Sequence, residues 1–320
     1  MQPNYGFYDR EGDLILLHRA EALNGYLDEA YGKSWHSMRL AAYAQPKDIS
    51  QTKDLWSFSL LAVAAAKKST AIEKIAPSLD RSLSTPFRNL ANFESHDGLI
   101  NLAIVAAHPA ITEDLLTAWH PSWQESSVEA ARVVSDNELS RIEAAMHLIE
   151  LSSPPAASLV GEVCAAVCLL RTGATLNAGS CVSLTSKFIP GLIYFTPAPV
   201  IMTAESIVHE AAHLWLSRFE LAGELYVDAD RKVASPLRPD PRPVSGLLHQ
   251  IWVMSNLIPF YRDLSRLSLP LITANSGKLA KRLTQHVLAL EAGLSVISAN
   301  ENALTDRGRE FVKSLTISNS

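Results

Sequence analysis

Leu192-Ile193-Tyr194-Phe195-Thr196-Pro197-Ala198-Pro199, followed ten residues later by His209-Glu210-Ala211-Ala212-His213, sets the fold class of this chain. The first five residues are β-prone and two prolines close the run, which predicts a strand. The second stretch lies in an apolar run that predicts a helix. In a helix, residues i and i+4 share a face, so both imidazoles can reach one ion. Glu210, turned about 100° from its neighbour, stands beside them. Two histidines at this spacing with a carboxylate between them is metal-site geometry. Two buried histidines on an apolar helix is the plainer alternative, because short motifs recur by chance.

Working outward, Thr203 or Ser206 is a candidate N-cap for the motif helix, and Glu205 adds negative charge near its positive end. The helix is expected to run to about Leu221, with Gly223 as terminator. Upstream, Cys181 to Thr185 is a second β-prone run, separated from the first by a segment with Pro190-Gly191, so a hairpin or two neighbouring strands is expected. Helical spacing marks Thr52 to Lys74 and Ser127 to Leu151, where Pro154-Pro155 ends the second block. A further apolar helix is expected from Ala157 to Arg171, with loops at Gly173 and Gly179. Downstream, the four prolines of Pro236 to Pro243 forbid a continuous helix, and Ser245 opens the next one, which carries His249. Helices near 278–298 and 305–315 complete the chain.

The expected fold class is therefore α+β and predominantly helical. A helical region over residues 1–150, a candidate peptide- or leader-binding part, would pack on a metal-centred region over 151–320 with a small β-sheet and the HExxH helix. The two are expected either as separate units or as one body.

Composition narrows the function. Hydrophobic residues make up 48%, charged residues 19%, and the net charge is −5, a balance that points to neither a nucleic-acid surface nor a polyacidic tail, so no nucleic-acid partner is expected. The N-terminus lacks the basic flank and apolar run of a signal peptide, and no stretch of about 18 uncharged apolar residues is present. A soluble, cytoplasmic protein without a membrane partner is expected. Cys164, Cys168 and Cys181 include no CxxC pair and are expected as free thiols, the first two as core residues at helical i, i+4 spacing.

Two histidines hold a divalent ion weakly, so a third ligand is required. The metzincin continuation fails, since Leu216 and Phe219 stand where glycine and the last histidine belong. Glu220 and Glu224 are candidate carboxylate ligands. His249 is the stronger candidate: it lies 36 residues past His213 in an apolar helical run, where an imidazole needs a partner. The other histidines are scattered singly and receive no role.

The segment Pro190-Gly191-Leu192-Ile193-Tyr194-Phe195, the motif itself, and Arg242-Pro243-Val244-Ser245-Gly246-Leu247-Leu248-His249 together resemble the HExxH-motif proteins of peptide natural-product clusters, the iron- and 2-oxoglutarate-dependent peptide β-hydroxylases. The resemblance covers roughly residues 180–260. It implies Fe(II) held by His209, His213 and His249, with positions left for 2-oxoglutarate and O2, and hydroxylation at a β-carbon of a ribosomally made precursor peptide. A companion maturation enzyme is a further expected partner. Arg242, with Arg238 second, would bind the distal carboxylate of 2-oxoglutarate, since a guanidinium grips carboxylate bidentately. Ser183, Thr185 and Ser186 are candidate hydrogen-bond donors to it, Glu210 a supporting hydrogen-bond partner or weak ligand. The alternatives are a zinc metallopeptidase with Glu210 as general base, and a peptide-binding HExxH scaffold without turnover.

Overall fold

The computed structural model describes residues 87–107, 128–130, 134–172, 182–186, 189–196, 198–221, 223–237 and 239–318. The described chain opens with a hairpin, β1 (Phe87–Glu94) and β2 (Asn101–Ala107). Its turn is closed by the Ile100 amide donating to Ser95 Oγ and by Gly98 at φ +67°, a backbone state that suits glycine. Strand β3 (Val128–Ala130), helices α1 (Asp136–Ser152) and α2 (Pro154–Val163), and strands β4 (Ala166–Thr172), β5 (Ser183–Ser186) and β6 (Ile189–Phe195) follow. Next come the motif helix α3 (Val200–Leu221), the short pair β7 (Lys232–Val233) and β8 (Arg242–Pro243), then α4 (Val244–Leu264), α5 (Pro270–Ser298) and α6 (Asp306–Ser318).

The sheet runs β1-β2-β4-β6-β5, with β3 on the end of β4. Strands β2, β4 and β6 are parallel, while β1 and β5 are antiparallel edges. Every residue from Ala166 to Leu170 is buried, as a central parallel strand requires. Helix α3 packs on α1, α2, α4 and strands β5 and β6, burying Ala204, Ile207, Val208, Ala211, Ala212 and Leu216. Among the described residues the protein is mixed α+β and predominantly helical, and no helix is long and apolar enough to cross a membrane.

Several expectations are corrected. The helix expected over Ala157 to Arg171 ends at Val163, and the apolar run after it is β4. A short run buried on both faces carries no period to separate strand from helix. Cys164 and Cys168 are therefore not helical neighbours; both are buried free thiols, and burial pushes Cys164 up to about 12. The block expected from Ser127 splits into β3 and α1, which starts at Asp136 behind a Ser135/Glu138 capping box. Pro154 opens α2 at its first turn. Helix α3 begins at Val200, so Thr203 is inside it and donates to the Ala198 carbonyl, and Glu205 lies past the first turn. The helical region expected over 1–150 contains the β1–β2 hairpin, and β2 pairs with β4 across residue 150. The helix expected at Thr52 to Lys74, Cys181, and the loops at Gly173 and Gly179 lie outside the described residues.

Candidate metal centre on helices α3 and α4

Along α3, Glu205, His209, His213 and Glu220 fall within about 80° of one another around the axis, so one stripe carries two imidazoles flanked by two carboxylates. Helix α4 crosses this stripe. Trp252 Nε1 donates to the Ala212 carbonyl at 2.9 Å, which fastens α4 to the backbone beside His213. One turn before Trp252, His249 is brought with its Nδ1 3.0 Å from His213 Nδ1, the rings stacked at 5.2 Å. The His209 ring lies 4.9 Å from that of His213 in an edge arrangement.

His209 and His213 are held neutral. The side chain of His209 is 34% exposed, yet the protein packed around it desolvates the ring enough to bring it down to about 4, against the opposing pull of Glu205. Burial first, then the nearby His209, His249 and Arg242, holds His213 well below the usual imidazole range. Arg242, half-buried on β8, thus acts on the histidine group from the strand that leads into α4.

Glu210 is 3% exposed and accepts a 2.7 Å hydrogen bond from Ser183 Oγ on β5. Burial raises its carboxyl to about 8 despite that bond. Its Oε1 lies 3.9 Å from His209 Nε2. Glu220 Oε1 faces His249 Nε2 at 3.1 Å and accepts from Tyr226 at 2.5 Å. Glu205 accepts from Tyr261 on α4 and Arg282 on α5, with His286 Nε2 3.5 Å away.

Thr185 donates to the Leu192 carbonyl, within the β5–β6 ladder. Ser186 ends β5 with its backbone opposite Ile189; its side chain and the whole of Arg238 lie outside the described residues. Glu224 is exposed, on the loop after α3. Reasoning from sequence missed the partners: Ser183 for Glu210, Tyr226 for Glu220, and the Glu205 cluster. The positions of Glu205 and Glu220 on the helical wheel were a usable signal, because four residues before His209 and seven after His213 both return to the same face.

Among the described residues, no three His, Cys, Asp or Glu side chains stand in a ready-made coordination arrangement. His213 and His249 are hydrogen-bonded to each other, and the second nitrogen of His249 faces Glu220. Closing three imidazoles on an ion replaces the bond between the two Nδ1 atoms. The chemistry of the donor set suits a divalent ion, since three imidazoles are ordinary ligands for iron or zinc.

Fold and site define a mixed α+β protein with three imidazoles gathered on two packed helices. No protein-family model matches the chain, and no curated protein resembles it significantly.

Proposed function

We propose that the chain is an Fe(II)- and 2-oxoglutarate-dependent hydroxylase acting on the β-carbon of a residue in a ribosomally made peptide. The observation that carries this reading is the meeting of His213 and His249 across α3 and α4, with His209 one turn away and Arg242 close by. His209, His213 and His249 would hold the metal, and imidazole suits iron as well as zinc. Bound there with 2-oxoglutarate and O2, iron supplies the oxidising power for an unactivated C–H bond, one oxygen atom going to the peptide and one to succinate as CO2 leaves.

The rest falls to the chain's own groups. The depressed pKa values keep His209 and His213 in the deprotonated form that a metal ligand needs. Arg242 binds the distal carboxylate of 2-oxoglutarate. Glu210, bonded to Ser183 beside His209, positions α3 against β5. A zinc metallopeptidase needs that carboxylate as an ionised base in reach of water. Here it is 3% exposed and turned to Ser183 on β5, which favours the oxidative reading.

The test is mass spectrometry of a candidate precursor peptide after incubation with protein, Fe(II), 2-oxoglutarate and O2. The expected result is a gain of one oxygen atom with one succinate per event. A cut peptide, zinc in the purified protein and loss of cleavage in Glu210→Gln would establish the peptidase instead. Failure to take up any metal on reconstitution would leave a peptide-binding scaffold.

A further inference from the structure

We propose that Glu220 is a positioning residue that holds His249 in its Nε2–H tautomer, leaving the Nδ1 lone pair to face the space shared with His213. What that lone pair is for rests on the metal reading above; the tautomer does not.

Glu220 lies seven residues beyond His213, two turns along one face of α3, about 10 Å along the axis. The imidazole of His249 reaches in from α4 between them and meets one residue with each nitrogen. Its Nε2 is 3.1 Å from Glu220 Oε1 and its Nδ1 is 3.0 Å from His213 Nδ1. An ionised carboxylate only accepts, so Nε2 must be the nitrogen that donates. A neutral imidazole carries one N–H, so Nδ1 is then bare and accepts from His213 Nδ1–H.

The surroundings fix this choice. Tyr226 donates its hydroxyl to the same Oε1 at 2.5 Å, so that oxygen is an acceptor held in place facing His249 Nε2. The Trp252 bond to the Ala212 carbonyl sets the distance between the helices one turn from His249. A carboxylate on the outer nitrogen of a metal-binding imidazole sets its tautomer, its orientation and its basicity. Glu220 is thereby removed from the ligand set and given the supporting role.

The experiment uses the full-length, metal-free protein labelled with 15N and long-range 1H–15N correlation of the histidine rings, the His249 signals being assigned by their loss in His249→Gln. The wild type is expected to show a protonated Nε2 and a bare Nδ1. In Glu220→Leu the Nδ1–H form is expected to populate, and Zn(II) affinity measured by calorimetry to fall about 10–100-fold. Glu220→Gln, whose carbonyl still accepts from Nε2–H, is expected to keep the tautomer and most of the affinity. An Nδ1–H tautomer in the wild type overturns the proposal even if Glu220→Leu does not fold, and so does an unchanged tautomer in a folded Glu220→Leu. The expected tautomer in a wild type that binds no Zn(II) upholds the role of Glu220 and sinks the metal reading.

Discussion

His249 meets His213 with one nitrogen and Glu220 with the other, and neither contact is visible in its own neighbourhood of sequence. The i, i+4 pair was legible because helix periodicity alone places His209 and His213 on one face. His249 was legible as an imbalance, an imidazole in an apolar run that needed a partner. Sequence makes Glu220 a candidate ligand, since it shows the residue's face but not what stands opposite. Sequence makes Ser183 a candidate hydroxyl for the cosubstrate, whereas its partner in the fold is Glu210, 27 positions on. At this scale the sharpest prediction concerns Arg242. Arg242→Ala is expected to raise the 2-oxoglutarate concentration for half-maximal succinate formation about 10–100-fold, the loss of one charged hydrogen-bonded pair. Metal affinity is expected to be retained; a parallel loss of Zn(II) binding would assign Arg242 to the histidine group instead.

Elements were legible where period and punctuation agree. The motif helix ends at Leu221 as Gly223 suggests, and β5 and β6 are the expected neighbouring strands, paired antiparallel, although Pro190 and Gly191, expected between them, lie inside β6, with Gly191 at φ +81°. They were not legible where burial is complete, as from Ala166 to Leu170, because a strand covered on both faces loses its alternation. The start of α1 did leave a sign, the Ser135/Glu138 box. Packing between elements leaves none. Gly161 in α2 lies so close to the β1–β2 turn that a Cβ there would stand 1.7 Å from the Leu99 carbonyl oxygen. Removing a glycine from a helix interior ordinarily stabilises by about 1 kcal/mol. Here Gly161→Ala is expected to destabilise by about 2–4 kcal/mol through the clash with backbone, read from the urea midpoint at constant slope. A stabilised variant would show that this contact is not held in solution.

Over the whole molecule, Glu205 ties three helices: α3 supplies the carboxylate, α4 the Tyr261 hydroxyl, and α5 Arg282 and His286. Burial alone would raise its pKa, but the His286, Arg282 and Tyr261 contacts outweigh it and bring the carboxyl down to about 2. The folded value lies below the unfolded value near 4.5, so the native state holds fewer protons than the unfolded chain in that window. The contribution of Glu205 is fully present above pH 4.5 and is lost as pH falls towards 2. Half-exposed Arg282 is partly screened, so the expected loss is about 1–3 kcal/mol. Urea midpoints of wild type and Glu205→Gln between pH 7 and pH 3 check this: the difference should shrink with acid, and a constant difference rejects it. Sequence by itself determined the local states with a period or a stop signal: the motif helix, the β5–β6 pair, and two histidines on one face, because these depend on backbone geometry over a few residues. Only the tertiary structure decided that β2 joins β4 across residue 150, that His249 meets His213, and that Glu205, Glu210 and Glu220 each receive a partner from another element. Those pairings are set by packing between segments far apart in the chain, and no local period records them.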